Sequence, residues 1–285
     1  MNIRTDLALE EKELTSGKLS GIDFEEKSVG KVKITRIKVL NKAGENSIGK
    51  PQGDYITVEI PNLESHGGQF DLAAEIIAKE LKDIAGGAKN ILVIGIGNSQ
   101  ITPDALGPKV AEGILATRHI GSSLKKQLGL EALNSVSVLS PGVLGQTGIE
   151  LYELIMGAVK TVRPDLVIAV DALAARRLSR LGCTVQISNT GITPGSGVDN
   201  ARKEISLKTL NIPVVAVGIP TVVDAHTLIS DLGGTVKADF KESENMIVTP
   251  KGIDLMIDRA AELLSFSLNT FLQPQLDKET LRALV

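Results

Sequence analysis

The sequence predicts an α/β fold, with a mostly parallel sheet covered by helices on both faces and an N-terminal β extension. Three observations carry that expectation. Short apolar runs recur from residue 90 onward: Ile91-Leu92-Val93-Ile94, Val136-Ser137-Val138-Leu139, Leu166-Val167-Ile168-Ala169-Val170 and Val214-Val215-Ala216-Val217. Such runs fit strands buried on both faces, as in a parallel sheet. Helical patterns separate most of them, which is the alternation of a sheet wrapped by helices. Neither an internal repeat nor a low-complexity linker divides the 285 residues, so a single domain over 1–285 is expected.

Taken in chain order, residues 1–30 are charge-rich, with Glu10-Glu11-Lys12-Glu13 in a row. That composition predicts a mobile or loosely docked terminal segment. Val32, Ile34, Ile37 and Val39 roughly alternate with polar residues, and Tyr55-Ile56-Thr57-Val58-Glu59-Ile60 repeats the pattern. Two half-exposed strands follow from it. Leu72, Ala73, Ile76, Ile77, Leu81 and Ile84 recur at helical spacing up to Gly86-Gly87, a stop signal. Ile149, Tyr152, Ile155, Met156 and Val159 mark another helix between two apolar runs. A last helix is expected to begin with Thr249 as N-cap and Pro250 in its first turn, burying Ile253, Met256, Ile257, Ala260, Leu263 and Leu264.

Composition excludes several functions. Aromatic residues make up 2% of the chain and tryptophan is absent, which argues against clefts built on ring stacking for single-stranded nucleic acid or carbohydrate. A net charge of −3 provides no basic field for nucleic acid or membrane surfaces. The charged N-terminus lacks the apolar run of a signal peptide, and no stretch of about 18 apolar residues occurs, so a soluble protein of the cell interior is expected. Cys183 has no second cysteine to pair with and reads as a small buried residue rather than a nucleophile.

The chemistry is expected in loops after the buried strands, because ligands of open α/β sheets sit outside the strands' carboxyl ends. Those loops are 95–108, 140–148, 171–176 and 218–225, joined by the Gly-rich segment 189–197. Gly95-Ile96-Gly97 lacks the third glycine of a dinucleotide fingerprint, since Gln100 occupies its place. No G-x-S-x-G elbow and no His/Cys ligand spacing is present. Asp171 ends a wholly apolar run, where a carboxylate is costly unless bonded, paired or working. Asp104 stands in a Gly/Pro-framed loop after another buried strand. If the strands are neighbours, the two carboxylates face each other and can share one proton, so that one accepts from water while the other donates. The alternatives left open are two helix or turn caps, and a metal held by Asp104, Asp171 and His226. Asp224 reads as a helix cap.

Several motifs together resemble the spore germination protease family. They are Arg4-Thr5-Asp6-Leu7-Ala8, Thr102-Pro103-Asp104-Ala105-Leu106-Gly107-Pro108, Pro141-Gly142-Val143-Leu144-Gly145-Gln146-Thr147-Gly148, Asp171-Ala172-Leu173-Ala174-Ala175-Arg176, Pro194-Gly195-Ser196-Gly197-Val198, Pro220-Thr221-Val222-Val223-Asp224-Ala225 and Val248-Thr249-Pro250-Lys251. The resemblance implies an atypical aspartic endopeptidase that degrades small acid-soluble spore proteins during germination, with Asp104 and Asp171 as its catalytic pair. It implies a homotetramer made as a zymogen, working without a cofactor in the cytoplasm of the forespore or spore core, with neither nucleic acid nor membrane as partner. It also implies a likeness to hydrogenase-maturation endopeptidases, which use a metal at the equivalent acidic positions. A non-catalytic spore-protein binding protein is the remaining alternative. Arg4 lies close to Met1, so a short or absent propeptide is expected, and the stretch from His226 to Val248 is shorter than in longer members. Gly97, Asn98, Gly145, Thr190 and Gly195 are the groups expected to hold an extended substrate.

Overall fold

The computed structural model describes residues 5–15, 20–61, 68–127, 129–195, 202–232 and 246–284. Nine strands among them form one sheet: β1 (Ile22–Val29), β2 (Val32–Val39), β3 (Gly53–Glu59), β4 (Asn90–Gly95), β5 (Ser135–Leu139), β6 (Leu166–Ala175), β7 (Thr184–Ser188), β8 (Val214–Asp224) and β9 (Ile247–Val248). Their order is β1-β2-β3-β7-β8-β6-β4-β5, with β9 added to β8. The four strands β5, β4, β6 and β8 run parallel. The others pair antiparallel and prolong that core sideways. The helices that position the site are α1 (Ala8–Leu14), α2 (Lys42–Ile48), α3 (Gly68–Ala85), α4 (Leu106–Glu112), α5 (Leu151–Val162), α6 (Ala225–Asp231) and α7 (Ile253–Leu272).

The apolar runs divide by alternation between two faces. Ile91, Val93, Ile168, Val170, Val215 and Val217 meet side chains of α3, α4 and α7, among them Ile77, Leu81, Leu106, Val110, Ile257 and Leu264. Leu92, Ile94, Val167, Ala169 and Val214 point the other way, onto Leu151, Ile155 and Val159 of α5. Those three recur every four residues, the stripe that makes a helix amphipathic. Each large side chain removed from water in this way contributes about 1.5–3 kcal/mol, so the parallel strands sit in a double-sided core.

The last helix begins later than its sequence suggests. Its N-cap is Gly252, not Thr249. The Thr249 hydroxyl instead donates to the Thr221 carbonyl of β8 (3.0 Å), and Pro250 accepts from the Ile253 N–H in the turn before the helix. Tertiary pairing draws the expected cap onto the sheet.

The N-terminal region departs most from the expectation of loose docking. β1 pairs with β2 along its whole length, although nearly all its side chains face water. Ion pairs cover this edge, Glu26 with Lys33 (2.9 Å) and Lys27 with Glu80 of α3 (3.4 Å), and charges along an edge strand deter further pairing. Leu7 and Ala8 are fully buried, and α1 packs on Ile37, Val39, Ile48 and Tyr55. Within the charged run, the buried Glu10 carboxylate accepts from the N–H groups of Arg176 (2.6 Å) and Arg177 (3.0 Å) and pairs with Arg180 (2.9 Å). Arg180 also holds Glu13 (2.6 Å). A charge row that reads as solvated therefore finds its partners some 170 positions away.

Candidate active site

Asp171 follows the point where β4 stops. Val170 is level with Gly95, the last residue of β4, and Asp171 is level with Gly218 of β8. The chain leaving β4 folds back over this end and coils into a short turn, Thr102–Asp104. Two glycines allow the approach. A Cβ on Gly107 would lie 2.1 Å from the Ile96 carbonyl and 2.6 Å from that of Val170, and one on Gly97, at φ +128°, would lie 2.0 Å from the Asp104 carbonyl. Neither site has room for a side chain, and the Gly97 conformation is one that L-residues rarely adopt. Thr221 pins the turn to β8 by donating to the Pro103 carbonyl (2.7 Å).

Asp104 is half-buried and accepts from the Asn98 N–H at 2.7 Å. Burial raises its pKa, with that bond opposing the rise. Asp171 is 5% exposed. Its pKa stands well above the ordinary carboxylate value, chiefly through burial, then through the charges of Asp104 and Asp6; the Ala172 N–H, which donates to it at 2.9 Å, opposes the rise. The Asp104 charge thus adds to burial in favouring the neutral form of Asp171, the deeper of the two, which is the arrangement in which one of two carboxyls keeps a proton.

Both carboxyls line a cleft of about 680 Å³. Its walls are Ala172–Ala174 of β6, Ser188 at the end of β7 with the following 190–195 segment, residues 142–144, and Asp6, Lys50 and Tyr55 from the N-terminal region. Of the residues expected to hold substrate, Thr190 and Gly195 line this cleft. Gly97 and Asn98 stand behind Asp104 and shape it instead. Gly145 is exposed on the short helix Leu144–Thr147 and lies outside the lining, where its neighbours Gly142 and Val143 take the place expected of it.

Other candidates serve structure. Asp224 caps α6, accepting from the N–H and hydroxyl of Thr227. Cys183 donates to the Ser179 carbonyl, and burial raises its thiol pKa, which disfavours the thiolate a nucleophile needs. Among the described residues no three His, Cys, Asp or Glu side chains converge as a metal-binding group, so Asp104, Asp171 and His226 do not form one ligand set. Ser196, Gly197 and His66 lie outside the described residues. Sequence reasoning did not place Lys50, Tyr55 or Gln186 at the cleft, and nothing local marks them. Asp6 was visible only as part of the Arg4–Ala8 motif.

A model of the germination protease family matches residues 2–243. The chain belongs to that family. Germination proteases of similar sequence include one from Caldanaerobacter subterraneus, 42% identical over 320 aligned positions that cover all of this chain and 98% of the relative. Another, from Clostridium tetani, is 39% identical and covers 99% of each chain. Among solved structures, the nickel–iron hydrogenase maturation protease HycI from Thermococcus kodakarensis matches 66% of this chain and 98% of its own, at 22% identity and a TM-score of 0.39. As a germination protease the chain is a peptide-bond hydrolase acting in germination. No helix among its described residues is long and apolar enough to cross a membrane.

Proposed function

We propose that this germination protease is an endopeptidase of small acid-soluble spore proteins in which Asp104 and Asp171 share one proton and activate water. The observation that carries the proposal is the placement of a buried carboxyl, Asp171, beside a half-buried one, Asp104, in the same cleft. Burial and the neighbouring charge both favour the neutral form of Asp171, so it holds the proton. Asp104, accepting from the Asn98 N–H, is the base. A water placed between them gives a proton to Asp104 as its oxygen bonds to the scissile carbonyl carbon. Asp171 then protonates the amide nitrogen as the C–N bond breaks, releasing a new carboxyl end and a new amine. The pair still holds one proton after the step, and exchange between its members restores the starting state. An extended substrate fits the cleft between β6 and the 188–195 segment, where backbone groups and Thr190 are available to its peptide groups. The motif resemblance supports the spore-protein substrate, the homotetramer and the spore-core location.

Asp104→Asn and Asp171→Asn, each assayed on a small acid-soluble spore protein, should lose about 10²- to 10⁴-fold in kcat while staying folded. Wild-type cleavage should persist in a chelator. Full activity in either variant, or loss of wild-type activity in the chelator, would sink the proton-sharing pair.

A further inference from the structure

The backbone group that holds the Asp104 carboxylate belongs to a loop that is itself tied to a second loop of the cleft. Asn98 donates its N–H to Asp104 Oδ2 (2.7 Å). Its side-chain Oδ1 accepts from the Gln100 N–H (3.0 Å) and from Gln146 Nε2 (2.7 Å). Gln146 stands on the short helix Leu144–Thr147, and its Oε1 accepts from the Val143 N–H (3.2 Å). In each amide a backbone N–H fixes which end is the oxygen, so the contact between the two side chains is a donor meeting an acceptor. A continuous path, Asp104–Asn98–Gln146–Val143, therefore joins the loop after β4 to the loop after β5. Asp104 and Val143 line the cleft, whereas Asn98 and Gln146 stand outside its lining.

A glutamine that only capped its own helix would need its oxygen alone. The bond from Nε2 to Asn98 spans 48 positions of the chain and serves no cap. We propose that Gln146 is a positioning residue of the active site: acting through Asn98, it holds the base Asp104 and the 142–144 wall of the cleft in one fixed arrangement. The proposal rests on the Asp104/Asp171 reading above. The influence of Gln146 reaches Asp104 through the Asn98 N–H, the bond that opposes the rise in the Asp104 pKa caused by burial. An Asn98 freed to turn weakens that bond, and a buried carboxyl that loses a donor is harder to ionise. The other charged groups lining the cleft are Asp171 of β6, Asp6, Lys50, Glu150, Arg202, Glu204 and Lys208, and substitutions at Gln146 and Asn98 alter none of them.

The test uses the full chain and a small acid-soluble spore protein, with kcat and KM followed across pH in wild type, Gln146→Ala, Asn98→Ala, the double variant and Asp104→Asn. Gln146 is exposed, so its truncation leaves the core intact, and Asn98→Ala keeps the backbone N–H while removing the acceptor that anchors it. The acidic limb of kcat should move to higher pH in each single variant, lowering kcat roughly three- to tenfold on that side. Because Gln146 acts through Asn98, the limb of the double variant should lie no further than that of Asn98→Ala. A Gln146→Ala limb at the wild-type position, a rise in KM alone, or shifts that add in the double variant overturn the positioning role while leaving the aspartate pair standing. Full activity in Asp104→Asn overturns both.

Discussion

The parallel core and the N-terminal extension are built on opposite physics, yet both border the cleft. In the core, β4, β6 and β8 are buried on both faces by aliphatic side chains, and Asp171 is a charge that interrupts them in mid-strand, whereas Asp224 stands at the end of β8. In the extension, β1 is exposed nearly throughout, and α1 is anchored by Glu10 and Glu13 on Arg180 as well as by Leu7, Ala8 and Leu9. Apolar burial is non-directional and sets the sheet's position. Buried ion pairs are directional and do little for net stability, but removing one partner strands the other. The core therefore gives the site its platform, and the extension gives one of its walls a defined register.

This contrast can be broken from either side. The largest effect should come from the extension. Glu10→Ala leaves Arg180 without its deepest partner and strips the acceptor from two backbone N–H groups, and should cost about 3–5 kcal/mol in denaturant unfolding. A loss below 1 kcal/mol would mean that apolar contacts alone dock α1. In the core, Gly97→Ala forces a Cβ against the Asp104 carbonyl. It should reduce kcat about 10²-fold by displacing that carboxyl, with a smaller change in Tm than in turnover; unchanged kcat would show that the loop adapts. The smallest effect concerns Asp171 itself. Its raised pKa means that the folded state binds its proton more tightly than the unfolded chain does. The associated stability is present at low pH and is lost as pH rises through the folded value. Asp171→Asn should therefore gain Tm relative to wild type at pH 8 and gain less at pH 5. An equal shift at both would mean that the carboxyl carries no proton-linked cost.

The two regions were unequally legible in the sequence. Asp171 could be found because it ends an apolar run, and Asp104 because glycines and prolines frame its loop; both signals are local. Thr190 and Gly195 followed from the Gly-rich segment after β7. Gly145 was misplaced because a four-residue helix turns it to solvent, which the Pro-Gly spacing does not reveal. β1 went unseen because an exposed edge strand lacks apolar alternation. The start of α7 was misjudged because the Thr249 hydroxyl has a better use on β8 than at a helix cap. Lys50, Tyr55 and Gln186 reach the cleft only through pairing of β3 with β7 and β7 with β8, and no window of the sequence contains that information.

The bonds of Asp6 to Ala174 and of Ala8 to Gln186 have a consequence in time. They join residues 168 and 178 positions apart, so these two bonds must wait until β6 and β7 have been made. Closing so long a loop is slow compared with forming local structure, and the amino-terminal wall of the cleft is completed among the last steps of folding. A ribosome-bound chain that does not yet extend through Gln186 lacks that partner of Asp6 and Ala8, so it cannot complete that wall.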